Sequence, residues 1–155
     1  MNPPSRQECP GGPSERLADL LGRYAAAGLP LTSQRRTLIE VLAARSDHPT
    51  VDQIYHAVAE RLPEVSRTTV YRSLKVLADL GLLERVAHPG SSVRFDTNME
   101  PHHHFLCTRC DSLLDLPMDA VPGFRELELD CDQPLVVDEM TAFVRGTCAR
   151  CAAAQ

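Results

Sequence analysis

The chain has 155 residues, 43% of them apolar and 24% charged, with a net charge of −5. These proportions suit a globular protein and argue against collagen-like and fully disordered classes. No apolar stretch approaches the roughly 20 residues of a membrane-spanning helix, and the opening MNPPSRQECPGGPSE has one basic residue and no apolar run, unlike a secretory signal.

The length suits one large domain or two small ones. The charge divides the same way: residues 31–95 carry a net +2 and residues 96–155 a net −7. A mildly basic first part suits phosphate and an acidic second part suits cations. Each half is small enough that a metal staple or a dimer interface would help it fold.

Residues 1–13, rich in proline and glycine, read as a disordered arm. Ser14 then caps a first predicted helix, with Leu17, Leu20, Leu21 and Tyr24 on one face and Gly28 as its stop. A second begins near Thr32 or Ser33 and turns Leu38, Val41 and Leu42 inward. Thr50 caps a third, with Val51, Ile54, Tyr55, Val58 and Leu62 on one face and Pro63 ending it. Ser66 caps a fourth, which Gly81 terminates. Two β-like runs, residues 82–86 and 92–95, meet around HPGSS as a hairpin. The pattern changes at residues 96–101. Beyond it HHHFLC, SLLDL and LVVDEMTAFV read as strands, with a short helix within residues 119–130.

Helices followed by a hairpin are the layout of a winged helix-turn-helix, whose last helix enters the major groove of DNA. The fourth helix has an apolar stripe of Val70, Leu74 and Leu77. Arg67, Thr68, Thr69, Tyr71, Arg72 and Lys75 face DNA in this reading. Arginine and lysine meet phosphates or guanine edges, and the hydroxyls meet phosphates. Arg85, His88 and Arg94 on the wing would follow the DNA backbone. The module's small net charge argues for two-fold pairing on a palindromic operator, which doubles the phosphate contacts.

Four of the six cysteines form two C-x-x-C pairs, Cys107/Cys110 and Cys148/Cys151. Paired C-x-x-C in a chain without a secretion signal reads as metal binding rather than as disulfides. Four thiolates suit a closed, structural zinc site. Cys131 lacks such a partner and reads as a small buried residue, while Cys9 lies in the arm. A second donor set begins at His102-His103-His104. Alternation along a strand puts His102 and His104 on one face, and Asp115 lies in the next strand-like run. Imidazoles and carboxylates without thiolate suit Fe(II) or Mn(II), although Zn(II) also binds such a set.

LTSQRRTLIEVL, DHPTVDQIY, VSRTTVYRSLKVLADLGLL, RFD, HHHFLCTRC and the closing C-x-x-C together resemble the ferric uptake regulator superfamily over about residues 17–152. The resemblance implies an α+β chain with a winged-helix DNA-binding domain at 14–96, a hinge at 97–101 and an α/β dimerisation and metal-binding domain at 102–155. It implies a homodimeric, cytoplasmic repressor with structural zinc. Within the superfamily the chain is most similar to the peroxide-sensing branch. That implies a regulatory Fe(II) or Mn(II) held by His48, Asp96, His102, His104 and Asp115. Iron-uptake regulators usually have glutamate where Asp96 and Asp115 stand, so the two aspartates favour peroxide sensing over iron or manganese homeostasis. Two other classes stay open on the residues alone. A metallo-hydrolase needs an open metal position and a general base, and no H-E-x-x-H motif occurs. A zinc-stapled interaction module would not respond to Fe(II) or Mn(II).

Overall fold

The computed structural model describes residues 12–87, 92–124, 132–133, 135–138 and 140–154. The chain folds as two compact units, Glu8–Met99 and a second that contains Glu100–Gln155. The arm residues 1–11 with Cys9, the wing residues 88–91 with His88, and residues 125–131 with Cys131 lie outside the described residues.

The first unit holds four helices and a hairpin: α1 (Pro13–Ala26), α2 (Ser33–Ala43), α3 (Val51–Ala59), α4 (Arg67–Asp79), β1 (Glu84–Val86) and β2 (Arg94–Asp96). Helix α1 starts before the expected Ser14 cap. Gly12 is its N-cap and Pro13 its first residue. Proline suits that position because its missing N–H has no partner there anyway. The other three caps are side-chain caps. Thr32 accepts from the N–H of Arg35, Thr50 from that of Gln53, and Ser66 from that of Thr69. Gln53 returns a bond to the N–H of Thr50, completing a capping box. Helix α4 ends as a Schellman motif: Gly81 (φ +64°) donates to Ala78 and Leu82 donates to Leu77. Only glycine takes that left-handed angle without steric cost.

Helix α1 packs on α2, α2 on α3, and α4 on both α2 and α3. Their shared core includes Tyr24, Leu38, Ile39, Ile54, Val58, Val70, Leu74 and Leu77, and Leu82, Leu83 and Phe95 close it from the hairpin side. Strands β1 and β2 pair antiparallel, with Arg85 opposite Phe95. This is the expected winged-helix layout.

The second unit contains a three-stranded mixed sheet. Strand β3 (His103–Cys107) is central, β4 (Leu113–Leu116) pairs with it antiparallel, and β5 (Phe143–Gly146) pairs with it parallel. A short 3-10 turn spans Met118–Ala120, and α5 (Ala149–Ala153) follows β5. Two expectations change here. The strand expected over residues 135–144 begins only at Phe143, because a strand needs a ladder partner and the edge of β3 pairs no earlier than His104 with Phe143. Within residues 119–130, the described part is the end of the 3-10 turn and the turns after it. Helix α5 carries no amphipathic stripe long enough to be read from sequence.

Candidate nucleic-acid interface and metal centres

Helix α4 buries Val70, Ser73, Leu74 and Leu77 and exposes Arg67, Thr68, Tyr71, Arg72 and Lys75. The 3.6-residue period produces this division. Tyr71 is 51% exposed, high for an aromatic residue with no pocket to fill. Among the described residues, Arg72 makes no ion pair. Arg67 instead pairs with Asp52 and lies over the Tyr55 ring, 5.1 Å from its centroid. Lys75 pairs with Asp79 at 2.9 Å. Thr69 is half-buried, and its hydroxyl lies 2.9 Å from that of Ser66, so it belongs to the helix cap. On the wing Arg85 is exposed. Arg94 departs from the expected backbone-following role: it is buried, and Nη1 donates to the carbonyl of His48.

The four-cysteine cluster lies wholly in the second unit. Cys107 closes β3, Cys110 follows in the turn to β4, Cys148 caps α5 and Cys151 lies within it. Their four Sγ atoms lie within 4.8 Å of one another. Cys110 and Cys148 are 3.8 Å apart. Tetrahedral zinc with Zn–S bonds near 2.3 Å sets sulfur–sulfur edges of about 3.8 Å, so the donor set fits. Backbone bonds shape the first knuckle: Cys107 N–H donates to Ser112 and Asp111 N–H returns to Cys107. Asp111 takes φ +56° there. Thr108 donates to Gly146, tying the knuckle to β5. A side chain at Gly146 would meet the Phe105 ring at 3.1 Å.

The thiols are not equivalent. The Ser112 hydroxyl, 3.1 Å from Sγ, leads the contacts that lower Cys110 to about 5; the Ser112 N–H and Arg150 add to it. Cys107 is lowered chiefly by the N–H of Cys148, which donates to its sulfur at 3.3 Å. Cys151 is pushed up to about 12, first by its hydrogen bond with Cys110 and then by that with Cys148.

The histidine segment forms a separate cluster in the same unit. His102 and His104 share one face and are both buried, with Nε2 atoms 3.0 Å apart. Asp115 stands directly opposite His104 in the β3–β4 register, and its Oδ1 lies 3.5 Å from His102 Nε2. The Phe143 ring stacks on His104 from β5, at 5.5 Å between centroids. His102 Nδ1 donates to the Glu100 carbonyl at 2.7 Å, which directs the lone pair of Nε2 toward its neighbours. Two nitrogens bound at right angles to one ion at about 2.1 Å are about 3.0 Å apart, so the pair fits a metal. His103 points the other way. It is fully buried against Phe124, and its Nδ1 accepts from the N–H of Ala142. That contact gives it a sheet-anchoring place away from the His102–His104 face.

In the first unit His48 and Asp96 meet each other. Both are buried, and His48 Nε2 lies 3.1 Å from Asp96 Oδ2. His48 has φ +49°, in the left-handed region. Periodicity could not bring residues 48 positions apart together; the resemblance nominated both. Arg94 and Ser112 escaped sequence reasoning as supports of these sites, because each acts through a contact that no spacing rule encodes.

Comparison with known proteins places these features in a family. The ferric uptake regulator family profile matches residues 26–129. The Peroxide-responsive repressor PerR of Staphylococcus epidermidis is 30% identical over 138 residues, covering 87% of this chain and 89% of its own. The solved structure of the Helicobacter pylori ferric uptake regulator Fur superposes with TM-score 0.68 at 20% identity, covering 94% of this chain and 97% of its own. That of a zinc-bound manganese uptake regulator gives 0.64 at 23% identity, covering 81% and 97%. The family's members are transcriptional regulators rather than enzymes, and its solved structures share this mixed arrangement of helices and sheets. The chain belongs to the ferric uptake regulator family.

Proposed function

We propose that the chain is a cytoplasmic, metal-dependent transcriptional repressor that senses hydrogen peroxide through histidines holding a regulatory Fe(II). In this reading Cys107, Cys110, Cys148 and Cys151 bind structural zinc. One regulatory ion, Fe(II) or Mn(II), takes His48, Asp96, His102, His104 and Asp115. Arg67, Thr68, Tyr71, Arg72 and Lys75 meet the DNA, and Thr69, expected there too, instead holds the start of the helix through Ser66. The observation that carries the reading is the cluster of buried His102 and His104 with partly buried Asp115, a nitrogen-and-oxygen donor set separate from the thiolates. The PerR relative supports peroxide as the signal.

His48 and Asp96 belong to the unit that carries α4, and the other three ligands belong to the second unit. Engaging all five at once, across a hinge at residues 97–101, links metal occupancy to the placement of α4 and so to DNA affinity. Iron, when bound, supplies the reduction of peroxide. One peroxide oxygen would go into an imidazole C–H bond of a ligand histidine and the other would leave as water; the weakened donor would free the ion and lower the affinity for the operator. The exposed apolar residues Leu114, Leu135, Val136, Val137 and Val144 of the second unit suit burial in a homodimer. Two α4 helices then address a palindromic operator.

The alternative is an iron or manganese homeostasis regulator without peroxide sensing. The same donors accept Mn(II), and the similarity to a manganese uptake regulator favours it. Operator binding titrated with Mn(II) tests the linkage that both readings share. Zinc-loaded wild type binds more tightly as Mn(II) rises, and His104→Ala needs at least about tenfold more Mn(II) for the same binding. Equal binding by the two proteins at limiting Mn(II) overturns the linkage.

A further inference from the structure

We propose that Arg94 is a positioning residue for the regulatory ion: it presets the His48–Asp96 ligand pair by holding the main chain of His48. This rests on the reading above that both residues are ligands. Arg94 is only 9% exposed. A guanidinium is costly to bury and is kept where its donors are used. Its Nη1 donates to the His48 carbonyl at 3.2 Å.

His48 needs such support. Its φ of +49° lies in the left-handed region, which is disfavoured for a residue with a Cβ. The following Pro49 also disfavours the compact conformations at His48. Surroundings must impose this geometry. Strand β2 does so at three points: Arg94 Nη1 on the His48 carbonyl, Phe95 N–H on the Pro49 carbonyl at 3.0 Å, and a bridge between Thr50 and Arg94. The last two are main-chain contacts that any residue at 94 retains. The first belongs to the arginine side chain.

Arg94 and Asp96 are two apart in β2, so they leave the strand on the same face. One holds the carbonyl of His48 and the other meets its ring, Oδ2 to Nε2 at 3.1 Å. Asp96 is itself set by Asn98, whose N–H donates to Oδ1 at 2.7 Å. The two side chains thus fix both ends of the histidine. This removes ordering that metal binding would otherwise have to supply.

The test is a double-mutant cycle read by Mn(II) affinity, measured by electron paramagnetic resonance on zinc-loaded full-length protein. Arg94→Met weakens Mn(II) binding about 10- to 100-fold, the usual loss for a group that orients a ligand. Arg94→Lys, which still reaches the carbonyl, recovers part of the loss. In a His48→Ala background Arg94→Met has no further effect. Far-ultraviolet circular dichroism checks the fold; if Arg94→Met unfolds, Arg94→Gln takes its place in the same cycle. Unchanged affinity in the Arg94 variant, or an equal loss in the His48→Ala background, overturns the proposal. If His48→Ala itself leaves Mn(II) affinity unchanged, the ligand reading falls and this inference with it. If His48→Ala weakens binding while the Arg94 variant does not, only the inference falls.

Discussion

Four thiols in one small volume differ widely in acidity, and that difference sets how zinc binding depends on pH. Cys110, lowered to about 5 by the Ser112 hydroxyl, is ionised at neutral pH, whereas Cys151, raised to about 12 by its bonds to Cys110 and Cys148, keeps its proton. Zinc takes thiolate, so binding near pH 7 must displace at least that proton, and affinity rises with pH across the window between the two values. Competition against a chelator of known pH dependence should show zinc binding at least about tenfold tighter at pH 8 than at pH 7, the change that release of one proton per ion produces. A flat profile would contradict the shared-cluster account. On the face of α4 proposed to meet DNA, Arg72 is the exposed cation that makes no ion pair among the described residues. Arg72→Ala should therefore weaken operator binding and reduce the slope of log affinity against log salt by about 1. An unchanged slope removes Arg72 from phosphate contact. Some of these residues were readable in advance. Each C-x-x-C pair is a local pattern, and alternation alone puts His102 and His104 on one face. His48 and Asp96 were not readable by pattern, since their meeting depends on a left-handed residue packed against a strand far along the chain. Arg94 misled for the opposite reason: a charged residue in a short hairpin reads as exposed until the strand's burial is known.

At the scale of elements, short-range chemistry sets the helix ends. Thr32, Thr50 and Ser66 each cap a helix with a side-chain oxygen, and Gly81 closes α4. Ser66 does double service, because it accepts from Thr69 N–H and lies beside the Thr69 hydroxyl at the start of α4. Ser66→Ala should cost about 0.5–2 kcal/mol in thermal or urea unfolding. No loss of stability would mean that the cap contributes nothing. The apolar period of 3.6 made the helices legible. The sheet was less so. Residues 135–144 have the apolar alternation of a strand, yet β5 begins at Phe143, because β3 determines where its ladder starts. A strand's extent is fixed by a partner elsewhere in the chain, which its own pattern does not contain. Helix α5 is too short for periodicity, and Cys148 and Cys151 of the four-cysteine cluster bracket its first turn instead.

The whole molecule joins two chemistries in one chain. The exposed polar face of α4, His48 and Asp96 lie in one unit, and the four cysteines with His102, His104 and Asp115 lie in the other. Neither a hydrolase nor a simple interaction module calls for that combination, and family membership agrees with a regulator. The donor types separate the roles. Thiolates hold zinc, which has no redox chemistry of its own. Imidazoles and carboxylates suit the metals that pair with reversible or oxidative control. The most direct measurement is operator binding by zinc-loaded protein carrying either Fe(II) or Mn(II), before and after a low dose of hydrogen peroxide, with peptide mass analysis of the same samples. The account predicts that peroxide abolishes binding with Fe(II) alone and leaves one added oxygen on His48, His102 or His104. Binding that survives peroxide with Fe(II), and histidines that stay unmodified, would contradict it and leave metal homeostasis as the function.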